Sequence, residues 1–185
     1  MNVSIRNFCF LLLGILFFTA CEDDLSKVKE MEVKQNDVEI TKGAEFIYSD
    51  SAHVKAKLKT PILYNHKTAA KPYMEMPKGI EVTFFDKDLK QTSKVTSDYA
   101  IRRESEKIVE LRKNVVATNA GGKTFKSEEL IWDENLKRFY SNKIVTINTG
   151  TDIISGPNFW SNEDFSYYEI NQGTADFQLK GNPNQ

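Results

Sequence analysis

Residues 53–59 set Val54, Ala56 and Leu58 against Lys55, Lys57 and Lys59 in strict turn, apolar then charged. Successive side chains of a strand point to opposite faces, so a period of two means a strand with one buried face and one wet face. The pattern returns at 79–85, where Ile80, Val82 and Phe84 share a face. Pro61 brings no N–H to a ladder and ends or bends the first strand. Further strands are expected at 94–101, 107–112, 114–119, 123–125, 129–132, 138–141, 143–148, 152–155, 158–161, 167–171 and 174–179. Asp86-Lys87-Asp88-Leu89 and Ala120-Gly121-Gly122 read as turns, the second because paired glycines reach positive φ at little cost. Turn signals every eight to twelve residues or so predict an all-β sandwich or barrel. Residues 102–110 have a composition that a helix tolerates, and a charged hairpin loop is the other reading.

The chain also repeats itself. Ser97-Asp98-Tyr99-Ala100-Ile101 followed by Asn114-Val115-Val116-Ala117-Thr118-Asn119 resembles residues 127–133 followed by Lys143-Ile144-Val145-Thr146-Ile147-Asn148. The first halves align at a shift of 30 and the second halves at 29, which predicts a turn one residue shorter in the second copy. A weaker third copy runs from Ser155 to Ile170. One such hairpin cannot bury its apolar face alone, whereas stacked copies bury it continuously. The expected fold is therefore a stack of antiparallel hairpins with free strand edges at both ends. Such edges are either blunted or used to add a partner's strand. In 143–148 the inward side is open between Ile144 with Thr146, favoured by the repeat, and Val145 with Ile147, favoured by hydrophobicity.

The N-terminus reads as an address. Arg6 precedes an apolar run at 8–18, and Thr19-Ala20 supplies small residues before Cys21. This is the layout of a secretory signal, and the run falls short of the ~20 residues that span a bilayer. Phe18-Thr19-Ala20-Cys21 resembles a bacterial lipobox, which implies cleavage before Cys21 and its acylation. The expected organisation is a signal peptide at 1–20, a lipidated Cys21 with a polar tether to residue 42, and a β-domain at 43–185. A short helix or strand is expected within the tether at 28–33. Glu22-Asp23-Asp24 can act as a sorting signal, toward either the inner membrane or the cell surface.

Composition removes several function classes. With 25 basic and 26 acidic residues in 185, there is no basic footprint for nucleic acid. The only cysteines are Cys9 and Cys21, so the body holds no disulfide and no thiolate metal site. His53 and His66 are the only histidines, without a ligand cluster nearby, and are expected at the surface. Gly121-Gly122-Lys123-Thr124 imitates the end of a phosphate-binding loop, but Ala117 stands where the earlier glycine belongs. Adjacent carboxylates such as Glu128-Glu129 diverge on a strand and make poor acid–base pairs. Phe159-Trp160 and Tyr167-Tyr168 suit sandwich packing better than sugar stacking. No catalytic constellation, cofactor or metal is expected.

Several segments together resemble the LptC family, in its Bacteroidota-type lipoprotein form. They are Tyr48-Ser49-Asp50-Ser51, the strand 54–58 with Pro61, and 72–82 (PYMEMPKGIEV). They continue with Ser97-Asp98-Tyr99-Ala100, Lys113-Asn114-Val115-Val116, 128–133 (EELIWD) and Tyr140-Ser141-Asn142-Lys143. Lys113 and Asn142 depart from the residues usual there. The resemblance covers about 45–177 and implies an elongated open β-jellyroll, of the OstA/LptA-like kind, with an apolar trough. It further implies that lipopolysaccharide is taken from an inner-membrane ABC exporter and handed to a homologous LptA-like periplasmic bridge docked edge to edge. Such a protein sits in the periplasm, held at the inner membrane by its lipid anchor. The expected trough lining, contacting the lipid A acyl chains, is Val54, Ala56, Leu58, Ile80, Val82, Phe84, Leu111, Val115, Leu130 and Trp132. The competing readings are a surface lipoprotein that binds glycan or acts as an adhesin, and an enzyme of envelope glycolipid.

Overall fold

The computed structural model describes residues 38–177. The expected signal peptide, Cys21 and the segment 28–33 lie outside these residues. The described part is all β, in fourteen strands: β1 (Glu39–Asp50), β2 (His53–His66), β3 (Tyr73–Met76), β4 (Ile80–Phe85), β5 (Gln91–Ser97), β6 (Tyr99–Arg103), β7 (Ile108–Asn119), β8 (Thr124–Asp133), β9 (Arg138–Ser141), β10 (Val145–Asn148), β11 (Asp152–Gly156), β12 (Phe159–Asn162), β13 (Tyr168–Ile170) and β14 (Thr174–Phe177). Residues 39–42, assigned above to the tether, already pair with β2.

The topology is an antiparallel meander of long, bent strands. β2 pairs its first half with β4 and its second half with β3. β7 divides likewise between β5 and β6, and β8 between β10 and β9. Each short-strand pair (β3 with β4, β5 with β6, β9 with β10, β11 with β12, β13 with β14) is one long strand interrupted at its bend. The bends align into a crease that divides the sheet into two facing arms, a β-jellyroll. One arm holds β4, β5, β10, β11 and β14, and the other holds β3, β6, β9, β12 and β13. Residues 102–110 form the tip of the β6–β7 hairpin, with Lys107 N–H bonded to Glu104 O.

Backbone chemistry explains the crease. Left-handed residues gather there: Gly43, Gly79, Lys113, Asn114, Asn158 and Gln172. At Gly79 (φ 88°) a Cβ would lie 2.6 Å from Ser97 O, so no other residue fits. Pro61 occupies the bend of β2, between the segment paired with β4 and the segment paired with β3. A bend costs the ladder hydrogen bonds, and buried hydroxyls restore them. Thr60 Oγ1 donates to Gly79 O (2.8 Å), Ser97 Oγ to Tyr99 O (2.9 Å) and Ser127 Oγ to Ile144 O (3.0 Å). Ser141 Oγ accepts the Lys143 N–H (3.0 Å).

Burial shows how each strand crosses the crease. The last inward residue of one arm and the first of the other are Thr60 and Leu63, Met76 and Ile80, Ser97 and Ala100, Leu111 and Val115, Ser127 and Leu130, Ser141 and Val145. The step is three residues on one strand and four on the next, alternately. This corrects the repeat: Ser97, Ala100, Leu111 and Val115 recur as Ser127, Leu130, Ser141 and Val145, all 30 residues on. Val145 and Ile147 are fully buried and Ile144 is 65% exposed, so the shift of 29 in the second half does not hold.

Candidate binding trough

Two walls face each other across the interior. On one, Phe46, Leu58, Val82, Val95, Ala117, Phe125, Ile147 and Ile154 are successive cross-strand partners, an unbroken apolar row over eight strands. On the other, Met74, Arg102, Val109, Trp132, Phe139, Ser161 and Tyr168 form the row, with polar groups near both ends. Nearer the crease run Met76, Ala100, Leu111 and Leu130. Of the ten residues expected to line a trough, nine are buried between the arms, and Val54 is half-buried at the rim.

Aromatic rings connect the walls. Trp132, with no exposed surface, meets Tyr48 edge-on at 5.6 Å and Phe84 at 5.0 Å. Phe165 lies 4.9 Å from both Phe139 and Phe125, and Phe125 also touches Phe159 and Tyr168. Edge-to-face contacts of this kind each add about 0.5–1.5 kcal/mol beyond burial. Packing is incomplete toward the front. There a cavity of about 130 Å³ is bounded by Phe46, Tyr48, Leu63, Met74, Met76 and Trp132.

Charge sits at two places on the interior. Arg102 reaches Glu134 through Nε (3.0 Å) and a second nitrogen (3.3 Å), and it also bonds Glu104 (3.1 Å). Burial alone would lower the guanidinium pKa, but these carboxylates outweigh it and raise it. Glu163 accepts from the Trp132 indole N–H at 3.0 Å. Burial nevertheless pushes the Glu163 carboxyl above its usual value, by more than that hydrogen bond and the nearby Lys137 and Lys55 pull it down.

The outer faces are unlike the walls. Lys57 and Lys59 flank Glu45, and Arg103, Glu110, Arg112 and Glu129 form a chain of ion pairs. His66 is not bare: it stacks on Tyr73 at 4.2 Å and meets Glu75 at 3.3 Å. Glu75 also accepts from Tyr99, whose hydroxyl is pushed up to about 12 by burial and then by this bond. Trp160 and Tyr167 both donate to Glu169 on the outside, whereas Phe159 and Tyr168 turn inward. Among the described residues no group of three or more His, Cys, Asp or Glu is placed to hold a metal ion, and no helix is long and apolar enough to cross a membrane.

Sequence reading missed Val95, Val109, Ala117, Phe125, Phe139, Phe165 and the Arg102–Glu134 pair. Val95 and Ala117 follow the period of two and were within reach. In Phe139-Tyr140 either ring could point inward. Phe165 stands in a polar turn and has no periodic signal at all. Outside the structure itself, the family model described as LptC, lipopolysaccharide-assembly, LptC-related, matches residues 48–164. No curated protein matches the chain significantly.

Proposed function

The chain belongs to the LptC family of lipopolysaccharide-assembly proteins, and on that premise we propose that it carries lipopolysaccharide between its two arms from an inner-membrane ABC exporter toward a homologous periplasmic bridge protein. The carrying observation is the unbroken apolar row from Phe46 to Ile154, inside arms whose outer faces bear ion pairs. Acyl chains gain by leaving water for such a wall, at about 0.8 kcal/mol per buried CH₂, while sugars stay wet beyond the rims. The nine buried residues expected to line the trough, with Val54 at the rim, would contact the chains. Among the described residues β1 pairs only with β2, and β13 and β14 only with β12 and β11. These two free edges are where exporter and bridge strands would add. Acylated Cys21 would hold the protein at the inner membrane. The chain makes and breaks no bonds in this reading; the exporter supplies the work.

The test is photo-crosslinking in cells, with a photoreactive residue at Leu58, Phe84 or Leu111 and a control at outward-facing Lys57. Lipopolysaccharide adducts at the three inward positions, dependent on ATP hydrolysis by the exporter and absent at Lys57, are expected. A folded, abundant protein without adducts would overturn the transport role. The outer Trp160–Tyr167 pair would then favour the glycan-binding reading.

A further inference from the structure

The turn at 163–167, between β12 and β13, turns a bulky ring inward. Its neighbours Ser166 and Tyr167 are exposed, yet Phe165 has no exposed surface. The ring stands between the arms, against Phe125 of one and Phe139 of the other. Its backbone is left-handed (φ 54°), a conformation disfavoured for a bulky side chain. The turn is held in shape from within. Phe165 N–H bonds Asn162 O (3.1 Å), Tyr167 N–H bonds Asn162 Oδ1 (3.0 Å), Ser166 N–H bonds Asp164 Oδ1 (2.9 Å), and Asn162 Nδ2 bonds Ser166 Oγ (2.9 Å). It is fastened to the opposite arm by two side-chain bonds, Ser93 Oγ to Glu163 O (2.7 Å) and Asn119 Nδ2 to Phe165 O (2.9 Å). No backbone ladder joins it there. Beside it lies a surface opening bordered by Lys55, Phe84, Thr92, Lys137 and Asp164.

From these features we infer that the 163–167 turn is a displaceable plug, and that the space its Phe165 ring fills between Phe125 and Phe139 is a binding site for an alkyl chain. The inference rests on the transport reading and deepens it. The cavity of about 130 Å³ between the walls, beside Phe46, Tyr48 and Met74, is no larger than one that accepts benzene, ~150 Å³. An acyl chain therefore enters only if something leaves. Ladder-paired side chains leave only by tearing the sheet. The turn leaves by giving up two bonds to the opposite arm and the Glu163–Trp132 bond, while its internal bonds let it swing as one body. Phe125 and Phe139 then meet CH₂ groups in place of the ring, and burial of apolar surface is conserved.

The test uses the full-length chain in cells, with Thr92→Cys and Asp164→Cys joined across the opening by a short bis-thiosulfonate linker that reductant removes. The readout is lipopolysaccharide crosslinking from a photoreactive residue at Phe84. The untethered protein is labelled, the tethered one loses at least tenfold, and reductant restores the signal. Equal labelling with the tether in place overturns the plug and leaves transport standing. Absence of labelling in the untethered protein overturns transport, and the plug with it. Phe165→Ala, without any tether, raises labelling at Phe84 several-fold; an unchanged yield speaks against the plug.

Discussion

The front and the back of the interior share one backbone plan and are filled in opposite ways. At the front, Leu63, Met74 and Met76 border a cavity, with the Arg102–Glu134 pair at its lip. At the back, Phe125, Phe139, Phe159 and Phe165 are packed ring against ring. Thioether chains are unbranched and adapt to whatever they meet, whereas interlocked rings hold one arrangement. The difference teaches that a strand pattern sets where a trough runs, and side-chain type sets how each part opens. The front holds space beside adaptable side chains, and at the back space arises by removal of a part.

Paired truncations attack this contrast most directly. Phe125→Ala should cost about 3–5 kcal/mol in urea unfolding, because locked rings cannot close the hole, and Leu63→Ala about 2 kcal/mol, because its surroundings already border free space. Equal costs would dissolve the distinction. Next in size is the charged lip. Arg102→Met leaves Glu134, whose side chain is 3% exposed, buried without its partner, and roughly 3 kcal/mol should be lost. Adding Glu134→Leu should recover most of it, and a double variant as weak as the single would show that the pair does not act as a unit. Smaller still is the strain at Phe165. Phe165→Gly should unfold at higher urea than Phe165→Ala, by about 1 kcal/mol, since only glycine is at ease at that φ. The reverse order would mean that the turn is unstrained.

The smallest effect concerns Glu163 and pH. Its folded pKa is raised above 4.5, so the folded state holds this proton more tightly than the unfolded chain does. Its contribution to stability therefore falls as pH rises from 4.5 through the raised value. Glu163→Gln should flatten that part of the profile and gain slightly at neutral pH, read from melting temperatures across the window. Asp50 works the other way. Its pKa is lowered by hydrogen bonds from Lys137 and Ser51, so its contribution is present above 3.8 and lost as pH falls. An unchanged slope in the Gln variant would remove Glu163 from the account.

Much of the plan was legible in single strands. Period-two runs placed Ala56, Leu58, Val82 and Phe84 on the inward face, and the structure agrees. β1 and β3 were not read, the first because Lys42, Gly43 and Glu45 break its pattern and the second because four residues carry too little of one. The second half of the repeat was misaligned by one residue for a physical reason. Asn-Val-Val-Ala-Thr-Asn and Lys-Ile-Val-Thr-Ile-Asn match best with Ile144 opposite Val115, but Ile144 is a surface residue sitting in the bend. The four-residue crossing from Ser141 to Val145 sets the inward side, and it is Val145 with Ile147, the side hydrophobicity favours, over the side the repeat favours. Phe165 was beyond reach, since its burial depends on contacts with β8 and β9.

The crease is written into each strand separately, in its own glycine, proline, hydroxyl side chain or left-handed residue. Each strand is thus a slat already folded to the common angle, and the gutter is made by laying slats side by side. Its profile belongs to the slat, and the number of slats is free. Removing or inserting one thirty-residue hairpin should shorten or lengthen the gutter without reshaping it. For the same reason, a foreign end strand creased at the same angle can continue the channel across a chain boundary with no adaptor between the two.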